Sequence, residues 1–294
     1  MEKEFSTYHP VVIFTYFIIT MGVTMTTASP FVFGMCVICP WVYSIFLKGV
    51  EAVKSNVFLT AAICLFTTAF NMLFTHNGKT VLFYMNSNGV TVEAGVFGLF
   101  SGIMFSTVII WFSCFNKIVS GEMIMYLFSR ISAVFALMVS MIFRYIPLLK
   151  NRYGEITMGQ IGLGQEGKGS LIDKIRLVIK KISILISWSL ESSIETADSM
   201  SARGYGLSGR TSFHLYRWSR RDIGVLIAMV VCFGAFIVME ASVKDSIVFY
   251  PALHIPELSW LSAVKSLSFF VIAAMPVVID LVGEYKWKKL ESKI

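Results

Sequence analysis

The sequence predicts an all-α polytopic membrane protein with about five to seven membrane segments. Of its 294 residues, 56% are hydrophobic and 15% are charged, whereas a soluble domain of this length carries far more charge. Apolar runs of about 18 to 20 residues recur along the chain, and a helix of about that length crosses the hydrocarbon of a bilayer. The shorter alternating strands that are typical of a membrane β-barrel are not seen in the sequence.

Six apolar runs are long enough to span the bilayer, at 11–28, 31–47, 57–74, 92–115, 223–240 and 260–281. Only Ser29 and Pro30 separate the first two, which predicts an antiparallel helical hairpin. The stretch 75–89 is rich in Asn and Gly and is predicted to be a loop. The stretch 130–149 either spans, with the N-terminus outside, or lies along the inner face, with the N-terminus inside; both alternatives stay open.

Basic residues are concentrated between positions 144 and 221, which hold 13 of the 25 Lys and Arg residues. The positive-inside rule places this segment in the cytoplasm, and two further spans return the chain there. The sequence thus predicts N-terminal membrane helices at 1–143, a cytoplasmic segment at 144–221, and C-terminal membrane helices with a basic tail at 222–294. The net charge of +7 follows from these cytoplasmic surfaces, and we expect no binding of nucleic acid.

Part of the basic segment has the periodicity of an amphipathic helix. Apolar residues recur at steps of four and three, which puts them on one helical face, at Leu171, Ile175, Val178, Ile182 and Leu185. Such a helix rests on lipid, packs under the membrane bundle or receives a partner helix. The sequence alone leaves these alternatives open.

Glycines that are expected to end helices lie on both sides of that helix. Five glycines between 159 and 170 predict a break in any helix there. Gly204 and Gly206 predict the C-terminal end of the following helix, with Arg203 in or near its last turn. A cation at that place also complements the helix dipole.

Several residues in or near the spans are explained by membrane solvation or helix packing, without a functional role. Glu93, Glu240 and Asp280 lie at span ends, where lipid headgroups and water solvate a carboxylate. Lys265 is predicted to extend its ammonium to the membrane surface. The glycines of EAGVFGLFSG, at 95, 98 and 102, are interpreted as close packing within the chain's own bundle rather than as a contact with a membrane partner.

Four stretches of the sequence resemble one known family. They are TYHP at 7–10, MIFRYIPLLKNRYGEITMGQ at 141–160, SLESSIETADSMSARGYGLSGRTSF at 189–213 and RRD at 220–222. The third stretch is the specific one, because apolar runs alone match many membrane proteins. On these residues, the chain resembles the transmembrane coupling (T) component of energy-coupling factor (ECF) transporters, the EcfT/CbiQ-like family of bacterial micronutrient importers.

The resemblance implies a cytoplasmic pair of amphipathic coupling helices that dock onto two ABC ATPase subunits through two Ala-Arg-Gly-type motifs. The second motif is intact here, as Ala202, Arg203 and Gly204. The first aligns with Gly162, Leu163 and Gly164, so a leucine stands where the family has arginine.

The resemblance also assigns supporting residues to each coupling helix. Arg144 and Pro147 belong to the first helix, and Glu195 and Asp198 belong to the second. The guanidinium of Arg203 is suited to carboxylates or backbone carbonyls in a groove of a partner. The competing interpretation is a surface ion pair of Arg203 with Asp198, Glu195 or a lipid phosphate.

The resemblance implies a multi-pass subunit of the bacterial cell membrane that serves an ABC importer of a vitamin or metal ion. A separate substrate-binding membrane (S) subunit would select the nutrient, and the lipid bilayer is the other expected partner. The sequence has no GxxxxGK[ST] motif and no metal-ligand spacing, so we expect no bound cofactor or metal and no catalysis by this chain.

Two alternatives remain open. A self-contained secondary transporter or channel would need ionisable groups within the membrane, and the first four spans have almost none. A membrane enzyme would need a carboxylate pair, a nucleophile with its base, or a metal cluster, and none of these is evident.

Overall fold

A computed structural model of the chain describes residues 4–75, 78–85, 88–131, 133–164, 170–205, 216–243, 245–250, 253–254, 256–257 and 259–291. The chain divides into two compact units. Unit 1 comprises residues 1–124 and 216–294, and unit 2 comprises residues 125–215. The sequence predicts that the chain changes from membrane to cytoplasm at residue 144 and returns to the membrane after residue 221. These two boundaries stay predictions.

The elements follow one another as a 3-10 helix (Glu4–Thr7), α1 (Pro10–Thr26), α2 (Pro30–Lys48), α3 (Glu51–Phe74), β1 (Val81–Met85), β2 (Asn88–Thr91), α4 (Val92–Ile118), α5 (Gly121–Ile131), α6 (Ala133–Gly162), α7 (Leu171–Ala202), α8 (Arg220–Ser242) and α9 (Trp260–Glu291). The helices α2, α3, α4, α8 and α9 are long and apolar enough to cross a membrane, and α1 is a shorter apolar helix of 17 residues. The prediction of an α-helical membrane protein with five to seven segments is confirmed.

Local sequence signals fix where the membrane helices begin. Pro10 and Pro30 stand at the first positions of α1 and α2, where a proline costs no hydrogen bond and its backbone is already helical. The α8 helix begins with a capping box, in which Ser219 and Asp222 satisfy each other's backbone N–H groups. The predicted tight connection between the first two spans is confirmed, since α1 ends at Thr26 and α2 begins at Pro30.

One end of unit 1 holds the start of the chain, and we call it the basic end. The Phe5 amide donates to Asp280 Oδ1 at 2.8 Å, which joins the N-terminal segment to the late part of α9. Arg221 Nη2 donates to Thr7 Oγ1 at 3.4 Å, so α8 begins at the same end.

The chain also leaves and re-enters unit 1 at the basic end. The Lys48 ammonium donates to the Ser113 hydroxyl, which brings the last turns of α2 and α4 together. The chain passes into unit 2 after Ile124, only a few residues beyond the end of α4. It returns at Tyr216, whose ring centroid lies 6.5 Å from that of His9. Both covalent connections to unit 2 therefore lie at this end.

The opposite end of unit 1 carries the two strands, and we call it the hairpin end. The Ile247 amide donates to the carbonyl of Ala28 at 2.9 Å, so the segment after α8 lies against the connection between α1 and α2. The ring of Phe100, early in α4, lies 4.1 Å from Phe33 in α2 and 5.1 Å from Phe249. These contacts mean that α1, α2, α3, α4, α8 and α9 alternate in direction between the two ends.

This alternation places the N-terminus at the same end of unit 1 as both connections to unit 2. The stretch 130–149 lies in α5 and α6, and whether it spans stays a prediction with both alternatives open. Four helices precede the first connection to unit 2, so the N-terminus lies on the same side as that connection. The described Lys and Arg residues of this side are Lys48, Lys54, Lys117, Arg217, Arg220, Arg221, Lys286, Lys288 and Lys289. The positive-inside rule assigns the basic end to the cytoplasm.

The core of unit 1 is aromatic where α1, α4 and α9 meet. Tyr16 and Phe17 of α1 are buried, and their ring centroids lie 5.8 and 6.1 Å from Trp111 of α4 in edge-to-face arrangements. The Tyr16 hydroxyl donates to the carbonyl of Ala273 in α9 at 3.0 Å. Edge-to-face pairs contribute about 0.5–1.5 kcal/mol beyond their buried area, so this cluster is a main contribution to the packing.

The prediction of a loop over 75–89 is wrong for part of that stretch. β1 and β2 form an antiparallel hairpin in which Val81 pairs with Thr91 and Tyr84 pairs with Gly89. Glu93 is also not solvated by headgroups, because it is buried and accepts hydrogen bonds from the amides of Lys79 and Thr80.

The glycines of α4 pack within the chain's own bundle, and that interpretation is confirmed. A Cβ atom at Gly98 would lie 2.7 Å from Thr68 Cα, and one at Gly102 would lie 2.7 Å from Cys64 Cα. The Thr67 hydroxyl donates to the carbonyl of Gly98 at 3.0 Å, across the same contact. The helices α3 and α4 therefore approach at backbone distance.

We expect Gly98→Ala to lower the thermal stability of the chain in detergent. The added methyl group meets backbone atoms of α3, which cannot rotate away, and overpacking of this kind costs about 1–3 kcal/mol. Gly34→Ala in α2 is the matched control, because no atom lies within 4 Å of the position that its Cβ would take. Equal unfolding midpoints for the two variants would contradict the close approach of α3 and α4.

Candidate functional site

The two motifs that the sequence singles out lie in unit 2, at the ends of α6 and α7. The two helices are antiparallel, as the order of their contacts shows. Tyr145 and Thr196 share a hydrogen bond of 3.1 Å, while Arg152 Cζ lies 4.8 Å from the ring centroid of Trp188. The hydrogen bond to Thr196 lowers the pKa of the Tyr145 phenol from its usual value. These contacts hold the middle parts of the two helices together.

The second motif closes α7 with a Schellman arrangement. Gly204 has a φ of +72°, its amide donates to the carbonyl of Ser201 at 3.0 Å, and the amide of Tyr205 donates to the carbonyl of Met200 at 3.1 Å. The predicted end of the helix at Gly204 is confirmed, whereas Gly206 lies outside the described residues. Because the last carbonyls have backbone partners, the side chain of Arg203 is not needed to cap the helix.

The Arg203 side chain is exposed at this helix end, beside the small residue Ala202. Within the part of the chain that the structure describes, it forms no ion pair with Glu195 or Asp198, which are both exposed on α7. The competing interpretation of an ion pair with these two carboxylates is therefore not observed. The guanidinium is free to meet a group from outside the chain.

The first motif ends α6 in a similar way. The amide of Leu163 donates to the carbonyl of Gly159 at 3.1 Å, and Gly164 has a φ of +75°. The Leu163 side chain is 72% exposed, which is unusual for a large apolar residue. The predicted break between 159 and 170 is confirmed, because α6 ends at Gly162 and α7 begins at Leu171, although α6 continues through Gly159. Residues 165–169 lie outside the described residues.

The two motifs have the same local backbone arrangement and lie toward opposite ends of the helix pair. In each, the central residue stands at the end of a helix and a glycine with positive φ follows it. A helix rises about 1.5 Å per residue, so Gly162 lies about 14 Å from Tyr153 along the axis of α6. By the same rise, Arg203 lies about 10 Å from Thr196 along the axis of α7. Because α6 and α7 are antiparallel, these two distances extend in opposite directions.

The supporting residues are distributed along both helices. Arg144 and Pro147 are exposed on α6, one turn apart and on either side of Tyr145. The apolar stripe of α7 is also largely exposed, since Leu171, Ile175 and Ile182 lie open. Apolar residues off that stripe, such as Ile179, are exposed too, so the amphipathic character of the pair is not confirmed.

Sequence reasoning missed a buried ionic cluster at the hairpin end of unit 1. Lys265 is fully buried, and its ammonium donates to Ser29 Oγ at 2.5 Å and to the carboxylate of Asp245. Glu240 Oε2 lies 3.0 Å from the same ammonium. The prediction that Lys265 reaches the membrane surface is wrong, because its partners hold it inside. A lysine in an apolar run with acidic residues in the preceding segment was the available signal.

Asp280 and Glu240 also depart from the expected headgroup solvation. Asp280 is buried in α9 and accepts the Phe5 amide, which fixes the N-terminal segment. Glu240 is partly exposed but is paired with Lys265. Among the residues that the structure describes, no group of three or more His, Cys, Asp or Glu is placed to hold a metal ion.

Comparison with known proteins identifies the family. A family model described as CbiQ, cobalt transport protein, matches residues 4–215. The energy-coupling factor transporter transmembrane protein EcfT 1 of Listeria monocytogenes is 31% identical over 109 residues, which cover 36% of this chain and 41% of that protein. The EcfT protein of Streptococcus equi is 28% identical over 207 residues, covering 66% of this chain and 74% of that protein.

A more distant relative extends the match further along the chain. The EcfT protein of Bacillus subtilis is 25% identical over 224 residues, which cover 72% of this chain and 77% of that protein. The chain thus spans less than half of the Listeria protein and about three quarters of the other two. The resemblance drawn from the motifs is confirmed. Because the family model matches well over half of the chain, this multi-pass protein of the bacterial cell membrane belongs to the CbiQ family of cobalt transport proteins.

Proposed function

We propose that the chain is the transmembrane component of an ECF-type ABC importer. In this role it is not catalytic: two ABC ATPase subunits on the cytoplasmic side bind and hydrolyse ATP. The chain transmits their motion to a separate substrate-binding membrane subunit, for uptake of a vitamin or metal ion. The relatives in Listeria, Streptococcus and Bacillus, which are named as transmembrane proteins of energy-coupling factor transporters, support this role.

The observation that carries the proposal is the matched geometry of the two motifs in unit 2. Two exposed helix ends, each closed by a glycine with positive φ, lie toward opposite ends of one antiparallel pair. This arrangement is suited to two separate grooves, one on each ATPase. The small residues on either side of Leu163 and Arg203 let a partner approach the backbone closely.

The two contacts differ in chemistry. At the end of α7, the guanidinium of Arg203 offers a fixed fork of donors to a carboxylate or to carbonyls in the partner's groove. At the end of α6, Leu163 offers apolar surface that is lost from water on docking. A fully buried Leu side chain gains about 1.5–3 kcal/mol, so the missing arginine does not leave this contact without binding energy.

Co-purification tests the proposal directly. The chain is tagged, purified from its native membrane in mild detergent, and its partners are identified by mass spectrometry. We expect two ABC ATPase subunits and a small membrane protein to co-purify, and we expect proteoliposomes with all four proteins to take up substrate only with ATP. Recovery of the chain without ATPases would contradict the proposal.

A self-contained secondary transporter is the second candidate, and the buried cluster of Lys265, Asp245 and Glu240 is the observation that favours it. Ionisable groups inside a membrane bundle often mark an ion or substrate path. Against it, the cluster lies at the hairpin end rather than near the middle of the bundle, and the ammonium is already paired. Uptake driven by an ion gradient in liposomes with the chain alone would favour this candidate.

A further inference from the structure

The hairpin of unit 1 exposes an apolar edge strand. All five residues of β1 are apolar or aromatic, in the sequence VLFYM. Leu82 and Tyr84 are 58% and 75% exposed, and Leu82 lies at an irregularity in the pairing between Val81 and Phe83. Val81 is exposed as well. An exposed apolar edge strand in water promotes aggregation, so we expect another molecule to shield β1 from water.

The other strand of the hairpin faces the bundle. β2 lies against α3 and α4, and its Val90 and Thr91 are buried. In the part of the chain that the structure describes, the sheet has only these two strands, so the far edge of β1 has unpaired backbone groups. β1 is therefore the outer strand of the hairpin, beyond the surface of the helices.

The hairpin is held in a fixed position at its base. The buried carboxylate of Glu93 accepts the Thr80 hydroxyl at 2.7 Å and the amides of Thr80 and Lys79 at 3.2 and 3.3 Å. The Val92 amide donates to the carbonyl of Thr80 at 3.1 Å. A loop that only connected two helices would not need this set of bonds. The contacts tie the start of β1 to the first turn of α4, which is a membrane-spanning helix.

The neighbouring surface of α3 is apolar and faces the bilayer. Leu73 and Phe74, in the last turn of α3, are exposed, and so is Val92 at the start of α4. β1 begins beside Val92, because the Val92 amide bonds to the carbonyl of Thr80, and the exposed side chains of β1 are apolar or aromatic as well. The hydrocarbon interior does not tolerate an unpaired strand edge, whereas the interfacial layer supplies water and headgroups to its N–H and C=O groups. Tyrosine is also enriched in that layer, because its ring is apolar and its hydroxyl is polar.

We propose that β1 lies in the interfacial layer of the outer leaflet and anchors the hairpin end of unit 1 in phospholipid. The exposed side chains of Leu82 and Tyr84 contact the boundary between headgroups and acyl chains, and the edge of the strand bonds to headgroups and water. The depth of α3 and α4 in the bilayer is then set by a clamped hairpin as well as by helix length. This inference does not depend on the proposed transport role.

Fluorescence quenching by spin-labelled lipids tests the placement. The five native cysteines are replaced, and single cysteines are introduced as Leu82→Cys and Tyr84→Cys and labelled with the NBD fluorophore. The variants are placed in nanodiscs of phosphatidylethanolamine and phosphatidylglycerol that contain phosphatidylcholine with a doxyl group near the carbonyl. Phe74→Cys, at the end of α3, is the control for lipid contact, and Glu257→Cys, exposed at the same end of unit 1, is the control for water.

We expect the doxyl group near the carbonyl to quench the labels at 82 and 84 as strongly as the label at 74. For the labels at 82 and 84, we also expect this doxyl group to quench more strongly than a doxyl group deep in the acyl chains. Quenching no greater than that of the label at 257 would overturn the proposal, since β1 would then lie in water. The measurement is repeated on the chain with its co-purified partners. Quenching that disappears there would also overturn it, because a partner protein and not lipid would cover the strand. Size-exclusion profiles equal to that of the cysteine-free parent show that the labelled variants are folded.

Discussion

Arg203→Glu is expected to release the ATPase subunits from the chain. The variant removes the guanidinium fork at the exposed end of α7 and puts a carboxylate where the partner's acceptors would lie. Loss of an arginine anchor at an interface costs about 2 kcal/mol or more, which is a loss of affinity of about 30-fold. Pull-down of co-expressed ATPases through a tag on the chain measures the effect, and ATP-dependent uptake should fall with it.

Two further variants make this result specific. Lys150→Glu makes the same change of charge at an exposed position of α6, between the two motifs and away from both, and should keep the ATPases bound. Arg203→Lys keeps the charge but loses the planar fork, so it should weaken binding less than Arg203→Glu does. Retention of the ATPases by Arg203→Glu at the level of Lys150→Glu would refute the role of Arg203. It would leave the family assignment unaffected, because that rests on the match over 4–215.

Lys265→Met is expected to have the largest effect on the stability of unit 1. The variant leaves Asp245 buried without its cation and removes the donor to Ser29. Breaking a buried ion pair by removing one partner costs about 3–5 kcal/mol, a large fraction of the stability of an ordinary domain. Thermal unfolding of the purified chain in detergent, followed by intrinsic fluorescence, measures the loss. Lys286→Met, at an exposed position of the same helix α9, is the matched control and should be near neutral.

A double variant separates the ion pair from the rest of the fold. Lys265→Met with Asp245→Leu removes both buried charges and should recover much of the lost stability, since an apolar pair of similar volume often replaces a buried ion pair without cost. The partly exposed Glu240 keeps its access to water in this background. If Lys265→Met does not fold at all, recovery of folded protein with the double variant still supports the pair. Equal unfolding midpoints for Lys265→Met and Lys286→Met would show that the cluster contributes nothing.

The membrane topology could be predicted from sequence because two strong signals agree. The long apolar runs mark the spans, and the excess of Lys and Arg marks the cytoplasmic side. Contacts between distant residues, such as Phe5 with Asp280, were needed to show which helix ends lie together. The end of α7 at Gly204 could also be predicted, since a glycine with positive φ is a local requirement of the helix cap.

The features that could not be predicted depend on contacts far apart in the chain. Lys265 looks like a lysine that reaches the surface until Ser29, from a connection more than two hundred residues earlier, is placed beside it. The β-hairpin was hidden because strand β1 is only five residues long and lies between segments rich in Asn and Gly. The glycines of 159–170 predicted the break between α6 and α7 correctly, but not the residue at which α6 ends. Helix propensity is a weak preference, and α6 continues through Gly159 in spite of it.

Both connections between the units emerge at the basic end, and this has a consequence for modularity. In the order of the chain, residues 125–215 are an insertion between two helices of a bundle whose other turns are closed without them. We expect that such an insertion can be exchanged between homologous proteins, because the connections among the helices of unit 1 do not depend on it. On the proposed function, a graft of residues 125–215 is expected to transfer the preference for a pair of ATPase subunits without changing the lipid-facing helices of unit 1.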